Sequence, residues 1–156
     1  MRARVGAREF DDEQTNWRLL VPDEVVRFTD GFAGVQERRP SASVGDFVVW
    51  TKRAQPSYQL AVVVDDARQG ITEVVRGDDL IDSAARQILL YRALGMEHRI
   101  PRYTHLPLVV GEDGRRLAKR HGDTRLEAYR DEGVRAERVI GLIAGWCGVP
   151  GNDPSG

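Results

Sequence analysis

The sequence predicts an α/β fold with a β-rich N-terminal leader and a helical C-terminal end. Two apolar runs rich in β-branched residues, 60–64 and 71–75, are typical of buried strands. Residues 83–94 then place apolar side chains at helical spacing, and Gly95 follows where a C-terminal cap belongs. A further apolar run at 106–110 completes a strand, helix and strand in the order of a βαβ unit.

The leader is predicted to consist mainly of strands. Residues 24–29 (EVVRFT) and 45–51 (GDFVVWT) have strand composition. The dipeptide at 30–31 (DG) is a strong turn signal, so we expect residues 32–36 to return as a hairpin partner. Residues 37–43 (ERRPSAS) contain a proline and are predicted to form a loop.

The C-terminal end is predicted to be helical. Thr124 and Glu127 have the spacing of a capping box, which would begin a short helix that Gly133 ends. Residues 136–147 have the pattern of a second, amphipathic helix. The side chains that it would turn inward are Val139, Ile140, Ile143 and Trp146.

Composition excludes several classes of function. With 156 residues, 41% hydrophobic and 30% charged, the chain is ordinary for a globular domain. A net charge of −1 gives no overall basic field for nucleic acid, so such contacts would need local patches. The single cysteine, Cys147, excludes an intramolecular disulfide and a cysteine-rich zinc site within this chain. The N-terminus lacks an apolar core of signal-peptide length, and no apolar run is long enough to span a membrane, so we expect a cytoplasmic protein without a membrane partner.

Charged residues follow both predicted strands of the central stretch. Asp65 and Asp66 come directly after the first apolar run, and residues 76–79 (RGDD) come after the second. Ligands of open α/β sheets bind in the crevice at the carboxyl ends of the strands. This stretch is therefore a candidate site, with an ordinary strand pair and polar turns as the alternative.

A second candidate stretch is residues 114–124 (GRRLAKRHGDT). Four of its residues between 115 and 120 are cationic, and glycines flank them at 114 and 122. Lysine and arginine offset the charge of phosphoryl oxygens, so such a loop suits a polyphosphate. A solvated surface run is the alternative. Neither His105 nor His121 has the spacing to a serine or cysteine that would indicate nucleophilic catalysis.

Taken together, the two stretches resemble the glutamyl class of class I aminoacyl-tRNA synthetases. Residues 58–80 (YQLAVVVDDARQGITEVVRGDDL) are similar to the second Rossmann half of that family, and residues 115–124 to its flexible lysine loop, known as KMSKS. The segments FTDGFAGVQ, GDFVVW and DDLIDSAARQILLYRALG are similar to its glutamyl-Q branch, which attaches glutamate to the queuosine base of tRNA(Asp). Val62 stands where ordinary glutamyl-tRNA synthetases usually have asparagine, which also favours that branch.

The resemblance implies ATP-dependent activation of glutamate and its transfer to tRNA, with Mg²⁺ accompanying the ATP. Arg76 would pair with a carboxylate of the glutamate, and Tyr58 would hydrogen-bond the same molecule. Lys119 would contact the ATP phosphates during catalysis, with Arg116 in place of the first lysine of the loop. For Arg76 the alternative is a structural ion pair with a nearby aspartate, and for Tyr58 a place in the core.

The resemblance also implies two further contacts to ATP. Asp79 would lie near the ribose, although a carboxylate at the start of a helix is the alternative explanation for that residue. Val109 would be a second ATP-contacting residue. No metal-binding residue is implied within this chain.

No HIGH motif, which belongs to the first Rossmann half of such enzymes, occurs in the sequence. The chain is therefore similar to the C-terminal portion of the family's enzyme. Residues 1–52 would be the remainder of an inserted β-rich subdomain, and residues 53–112 the second Rossmann half. Residues 113–156 would be the lysine loop and the helical stem-contact region. We expect this chain alone not to form glutamyl-adenylate and to expose a sheet edge. The missing half would lie either upstream in the same polypeptide or in a separate N-terminal chain. A non-catalytic module that binds tRNA or a nucleotide is the alternative function.

Overall fold

The computed structural model describes residues 15–110, 125–146 and 149, and the chain divides into two compact units, 1–108 and 109–156. The strands of the first unit are β1 (Trp17–Leu19), β2 (Val26–Asp30), β3 (Gly34–Arg38), β4 (Phe47–Thr51), β5 (Gln55–Pro56), β6 (Glu73–Gly77) and β7 (Arg102–Leu106). Its helices are α1 (Pro40–Ser43), α2 (Tyr58–Gln69) and α3 (Ile81–Ala93). The described helices of the second unit are α4 (Leu126–Asp131) and α5 (Ala136–Trp146).

The larger sheet has the strand order β3-β2-β7-β6. Strands β2 and β3 form the predicted antiparallel hairpin, whereas β7 runs parallel to both β2 and β6. Helix α3 connects β6 to β7, so the predicted βαβ unit is confirmed. Within the described residues β6 lies at the edge of this sheet. A smaller antiparallel sheet has the order β1-β4-β5 and contains the predicted strand at 45–51.

Helix α3 is the central helix of the core, as its apolar spacing predicts. It ends at Ala93, with Leu94 as the C-cap, and Gly95 follows with a φ of 69°, a left-handed conformation that costs glycine little. Its buried residues are Ser83, Ala84, Ala85, Gln87, Ile88, Leu89, Leu90 and Tyr91. Most of its circumference is therefore covered, which is the pattern of a helix inside a domain and not of one on a surface.

A chain of buried side-chain amides joins α3 to α2. Gln87 Nε2 donates a hydrogen bond to Gln59 Oε1 at 2.9 Å, and Gln59 Nε2 donates to Ser83 Oγ at 3.2 Å. All three side chains are buried, so each bond replaces one that water would otherwise provide. This network fixes α2 against α3.

The apolar run 60–64 is not a strand, and the prediction for it was wrong. It lies inside α2, which begins after Ser57, whose Oγ accepts the backbone N–H of Leu60, and ends at Gly70 with a φ of 69°. Val63 and Ala67 are buried four residues apart, the spacing of one helix face. A short apolar run fits either a strand or a helix by itself, and the two caps decide it. Asp65 and Asp66 consequently lie on a helix and not beyond a strand end.

Two further boundaries differ from the prediction. Residues 37–43 are not a loop, because β3 continues to Arg38 and Pro40 is the first residue of α1, a position where its missing N–H costs nothing. The second strand of the βαβ unit is Arg102–Leu106 and not 106–110. Its buried side chains alternate, Tyr103 and His105, and a histidine in the core escapes a search for apolar residues.

In the second unit α4 begins one residue after Arg125, which is its N-cap and forms no side-chain cap hydrogen bond. The predicted N-cap, Thr124, lies outside the described residues. Gly133 follows the end of α4 with a φ of 76°, as expected of a helix stop. The inward direction predicted for Ile140 and Ile143 of α5 is wrong, because these side chains are 65% and 48% exposed. The side chain of Trp146 and all of Cys147 lie outside what the structure describes.

Asp30 is the buried carboxylate at which the β2–β3 hairpin meets β7. Its Oδ1 accepts the backbone N–H groups of Phe32, Ala33 and His105 at 3.1, 2.9 and 3.0 Å. Its Oδ2 lies 2.6 Å from Nδ1 of His105. Burial disfavours the charged carboxylate, but the hydrogen bonds from His105, Ala33 and Phe32 outweigh it and lower the pKa of Asp30 to about 2.

Acid should destabilise the chain partly through Asp30. Its pKa of about 2 lies below the ordinary 3.8, so its stabilisation is complete above pH 3.8 and is lost as the pH falls toward 2. The shift corresponds to about 2 kcal/mol of unfolding free energy. Asp30→Asn should cost about 3 kcal/mol at neutral pH in urea unfolding, and its deficit should shrink in acid. An equal deficit at neutral and acid pH would contradict this assignment.

Gly31 is the point of closest approach between the hairpin turn and β7. Its N–H donates to the carbonyl of Tyr103 at 2.8 Å, and a Cβ at this position would collide with Oγ1 of Thr104. Gly31→Ala should therefore lower the free energy of unfolding by about 2 kcal/mol. Adding Thr104→Ala removes the colliding oxygen, so the double variant should be more stable than Gly31→Ala alone. Additive losses would show that sterics is not the cause.

Candidate functional site

Arg76 and His105 lie side by side at the carboxyl ends of two parallel strands. They are register partners in β6 and β7, one position before the last pair, Gly77 and Leu106. Parallel neighbours in register project their side chains to the same face of the sheet. The candidate site predicted at the strand ends is therefore built from β6 and β7, and α2 contributes from its side.

The guanidinium of Arg76 is held along one edge. Its Nε donates to Nε2 of His105 at 3.0 Å, and its Nη2 donates to the carbonyl of Leu80 at 3.2 Å. Its Cζ lies 5.4 Å from the centroid of the Tyr103 ring, within the range of a cation–π contact. Among the residues that the structure describes, none accepts a hydrogen bond from Nη1. The edge formed by Nη1 and Nη2 can therefore receive a planar anion such as a carboxylate.

The hydrogen bonds assign the protons of His105. The Nε of arginine always carries a hydrogen, so Nε2 of His105 must accept, and the ring proton is on Nδ1. That proton is donated to Oδ2 of Asp30, 2.6 Å away. An imidazolium would place its own Nε2–H against that of Arg76. The three side chains thus form a directed series in which Arg76 donates to His105 and His105 donates to Asp30.

Aromatic rings pack against His105 and Arg76. Tyr103 packs beside His105 with ring centroids 6.1 Å apart and an interplanar angle of 20°, and it meets the edge of Phe28 at 6.0 Å. Burial raises the pKa of the Tyr103 hydroxyl, and burial followed by repulsion from Asp66 raises the pKa of Tyr91 to about 12. Both tyrosines are neutral at physiological pH, so they do not neutralise Arg76.

Asp66 is the carboxylate that acts on Arg76 through space. Burial raises its pKa most, attraction to Arg76 opposes that rise, and repulsion from Asp65 adds to it. In the part of the chain that the structure describes, the hydrogen-bond partners of Arg76 are nevertheless His105 and Leu80, and neither contact is to a carboxylate. The cationic charge of Arg76 therefore remains available to a ligand.

Asp79 lies in the single 3-10 turn that follows β6, residues 78–80, and its side chain is exposed. A Cβ on Gly77 would come within 2.7 Å of Oδ1 of Asp79 and of Cδ2 of Leu108. The absence of a side chain at Gly77 thus lets the carboxylate of Asp79 fold back over the strand end. This places Asp79 next to the residue that follows Arg76.

The remaining predicted site residues are placed as follows. Tyr58 is the first residue of α2 and is 56% exposed, so it is not a core aromatic. Val109 is exposed and belongs to the second compact unit. Lys119 and Arg116 lie outside the described residues, as does His121, so their predicted roles stay predictions.

Asp30 and His105 are site residues that the sequence did not predict. The DG dipeptide predicts only a turn at Asp30, and the spacing of His105 gives no indication of nucleophilic catalysis. The available signal was the alternation in residues 102–106 (RYTHL), which predicts a strand with Tyr103 and His105 on one face. That pattern would place a histidine in the core, where it needs a hydrogen-bond partner.

In the described part of the chain, no three or more His, Cys, Asp or Glu side chains are grouped so that they could hold a metal ion. Among the helices described, none combines the length and the apolar character needed to cross a membrane.

Comparisons with known proteins agree on one family. The family model described as tRNA synthetases class I (E and Q), catalytic domain, matches residues 2–149. A glutamyl-Q tRNA(Asp) synthetase of Symbiobacterium thermophilum is 51% identical over 143 residues, which is 92% of this chain and 43% of the relative. A glutamate–tRNA ligase 1 of Helicobacter pylori is 38% identical over 132 residues, which is 83% of this chain and 28% of the relative.

A solved structure is similar as well. The crystal structure of a glutamate tRNA ligase from Elizabethkingia meningosepticum, in complex with its amino acid, superposes with a TM-score of 0.69 and 28% identity. The match covers 81% of this chain and 28% of that one. The chain thus spans less than half the length of these relatives.

The resemblance predicted from residues 58–80 and 115–124 is confirmed, as is the α/β fold class. The family match extends over nearly the whole chain, and the two sequence relatives are 51% and 38% identical to it. This chain belongs to the catalytic-domain family of the class I tRNA synthetases for E and Q.

Proposed function

We propose that this chain provides the part of a glutamyl-Q tRNA(Asp) synthetase that binds the glutamate carboxylate and the phosphates of ATP. The complete enzyme activates glutamate with ATP and transfers it to the queuosine base of tRNA(Asp). The observation that carries the proposal is the guanidinium of Arg76, held along one edge by His105 and Leu80 with its other edge available. Relatives named glutamyl-Q tRNA(Asp) synthetase, 51% and 49% identical, support the choice of acceptor.

Arg76 is the proposed partner of a glutamate carboxylate, through two parallel hydrogen bonds from Nη1 and Nη2. Tyr58 is proposed to hydrogen-bond the same molecule. The neighbouring Gln59 donates a hydrogen bond to Ser83, near the start of α3, the helix that follows the carboxyl end of β6. This geometry supports a location of Tyr58 toward the carboxyl end of β6.

The proposed reaction needs no protein nucleophile. A carboxylate oxygen of glutamate forms a bond to the α-phosphorus of ATP, the bond to the bridging oxygen breaks, and pyrophosphate leaves with the electron pair. The protein contributes position and charge. In this proposal Lys119 and Arg116 contact the phosphates, whereas Asp79 and Val109 contact the nucleoside. The proposal assigns no protein ligand to the Mg²⁺ that accompanies ATP.

The partners of the chain follow from the same proposal. Its substrates are glutamate and ATP, its acceptor is tRNA(Asp), and its location is the cytoplasm, where tRNA is charged. The curated relatives are more than twice as long as their match to this chain, which covers 43% of the first. We therefore include in the proposal a second part, on the same or a separate chain, that completes the ATP site.

Arg76→Lys should weaken glutamate binding by about tenfold or more, because an ammonium cannot make two parallel bonds to a carboxylate or keep the bond to His105. The measurement is an NMR titration with glutamate that follows the backbone amide signals of residues 76–80, together with the side-chain N–H signals of Arg76 where that residue is present. Arg92→Lys is the matched control, since Arg92 bonds to Glu24 and Glu97 on the surface. Absence of any glutamate-dependent change at Arg76 in the native chain would refute the proposed site.

ATP–pyrophosphate exchange should be absent from the 156-residue chain by itself. Groups that act as a unit lose far more than half of their effect when half are missing. Exchange that depends on glutamate and is abolished by Lys119→Ala would overturn this expectation, while confirming the role of Lys119. Salt-sensitive binding of tRNA(Asp) without exchange would favour the non-catalytic binding module instead.

A further inference from the structure

We infer that Asp30 and His105 are positioning residues that hold the guanidinium of Arg76 in the one orientation in which its free edge receives the substrate carboxylate. This inference rests on the proposed role of Arg76. It adds two residues that touch neither glutamate nor ATP in that proposal and that lie far from Arg76 in the sequence.

The series is fixed at its inner end by the Asp30 carboxylate. Oδ1 accepts three backbone N–H groups, including that of His105, so the carboxylate cannot rotate without breaking them. Oδ2 then fixes the imidazole by accepting its Nδ1–H at 2.6 Å. His105 is 0% and Asp30 2% exposed, so water does not compete for these bonds.

The direction of each bond leaves no alternative arrangement. An aspartate only accepts and an arginine only donates, so the neutral imidazole between them must donate from Nδ1 and accept at Nε2. Its lone pair at Nε2 therefore points at Nε of Arg76, 3.0 Å away. The imidazole transmits the orientation of the buried carboxylate to the arginine.

Two further contacts complete the restraint on Arg76. The carbonyl of Leu80 accepts from Nη2 at 3.2 Å, and the ring of Tyr103 lies 5.4 Å below Cζ. Bonds from Nε and Nη2 define the plane and the rotation of the guanidinium. They also occupy the edge formed by Nε and Nη2, so a carboxylate must approach the edge formed by Nη1 and Nη2.

This restraint acts on binding by reducing the entropy that is lost when a ligand arrives. A free arginine side chain populates many rotamers, and ordering it opposes association. A guanidinium that is already ordered binds a carboxylate more tightly for the same contacts. Loss of the hydrogen bond that Arg76 donates to His105 should weaken glutamate binding by about tenfold.

Two substitutions of His105 separate its two hydrogen bonds. In His105→Asn the amide nitrogen takes the place of Nδ1 and can donate to Asp30, whereas nothing reaches Arg76. In His105→Gln the amide oxygen takes the place of Nε2 and can accept from Arg76, whereas the donor to Asp30 is lost. We expect His105→Asn to weaken glutamate binding about tenfold, and His105→Gln to recover most of that loss although it is the less stable variant.

Glutamate affinity is measured by NMR titration and stability by urea unfolding for the native chain and each variant. Val21→Ala is the control for general destabilisation, because it truncates a buried apolar side chain in the connection between β1 and β2. It should lower stability without changing the signal of Arg76 Nε. Native affinity in His105→Asn, or affinity losses that follow the stability losses across all three variants, would overturn the inference.

A second measurement needs no glutamate and so tests the inference separately from the proposed function. In ¹⁵N-labelled protein at neutral pH, His105 should be the neutral tautomer protonated at Nδ1. A coupling across the hydrogen bond should join Nε of Arg76 to Nε2 of His105. A hydrogen on Nε2 of His105 would overturn the inference even if glutamate binds at Arg76. Failure of the native chain to bind glutamate would instead refute the proposed function.

Discussion

The larger sheet depends on the hydrogen bonds that the buried carboxylate of Asp30 accepts. This carboxylate lies at the end of β2 and accepts hydrogen bonds from the hairpin turn, from the backbone of β7 and from the ring of His105. The parallel pairing of β2 with β7 has a single register pair, Asp30 with Tyr103. A pairing that short contributes little by itself, so the charged hydrogen bonds determine where β7 lies against the hairpin.

The same carboxylate connects the core to the strand ends. A buried ion must be satisfied from several sides, because each missing bond leaves charge without compensation. His105 satisfies one of those sides, and its remaining nitrogen is then directed toward Arg76. In this way a requirement of folding, the solvation of Asp30 by protein groups, also determines the orientation of a charged side chain at the surface of the sheet.

The packing of α2 against α3 also determines where the site residues lie. The buried amides of Gln59 and Gln87 join the two helices, and α3 is the crossover between the parallel strands β6 and β7. The position of α2 relative to the strand ends therefore depends on polar contacts inside the helix pair. Tyr58 and Asp66, on opposite ends of α2, are placed by that contact and not by their own neighbours in the sequence.

The sequence by itself determined the family, the βαβ unit, the β2–β3 hairpin and the choice of Arg76 as a candidate residue. These depend on short-range signals: helical spacing with a glycine stop, a DG turn, and two motifs that are contiguous in the chain. It did not determine the state of residues 60–64, because β-branched runs occur in strands and in buried helices alike. The N-cap Ser57 and the C-cap Gly70 were the signals that indicate a helix for this segment.

Only the tertiary structure decided the series from Asp30 through His105 to Arg76. Asp30 and His105 are 75 positions apart, and His105 and Arg76 are 29 apart. Nothing local distinguishes this aspartate from a turn residue, and the alternation in residues 102–106 places this histidine on a strand face without identifying its partners. The parallel register of β6 with β7, and the exclusion of water around two buried polar groups, bring the three together and make each one's orientation depend on the next.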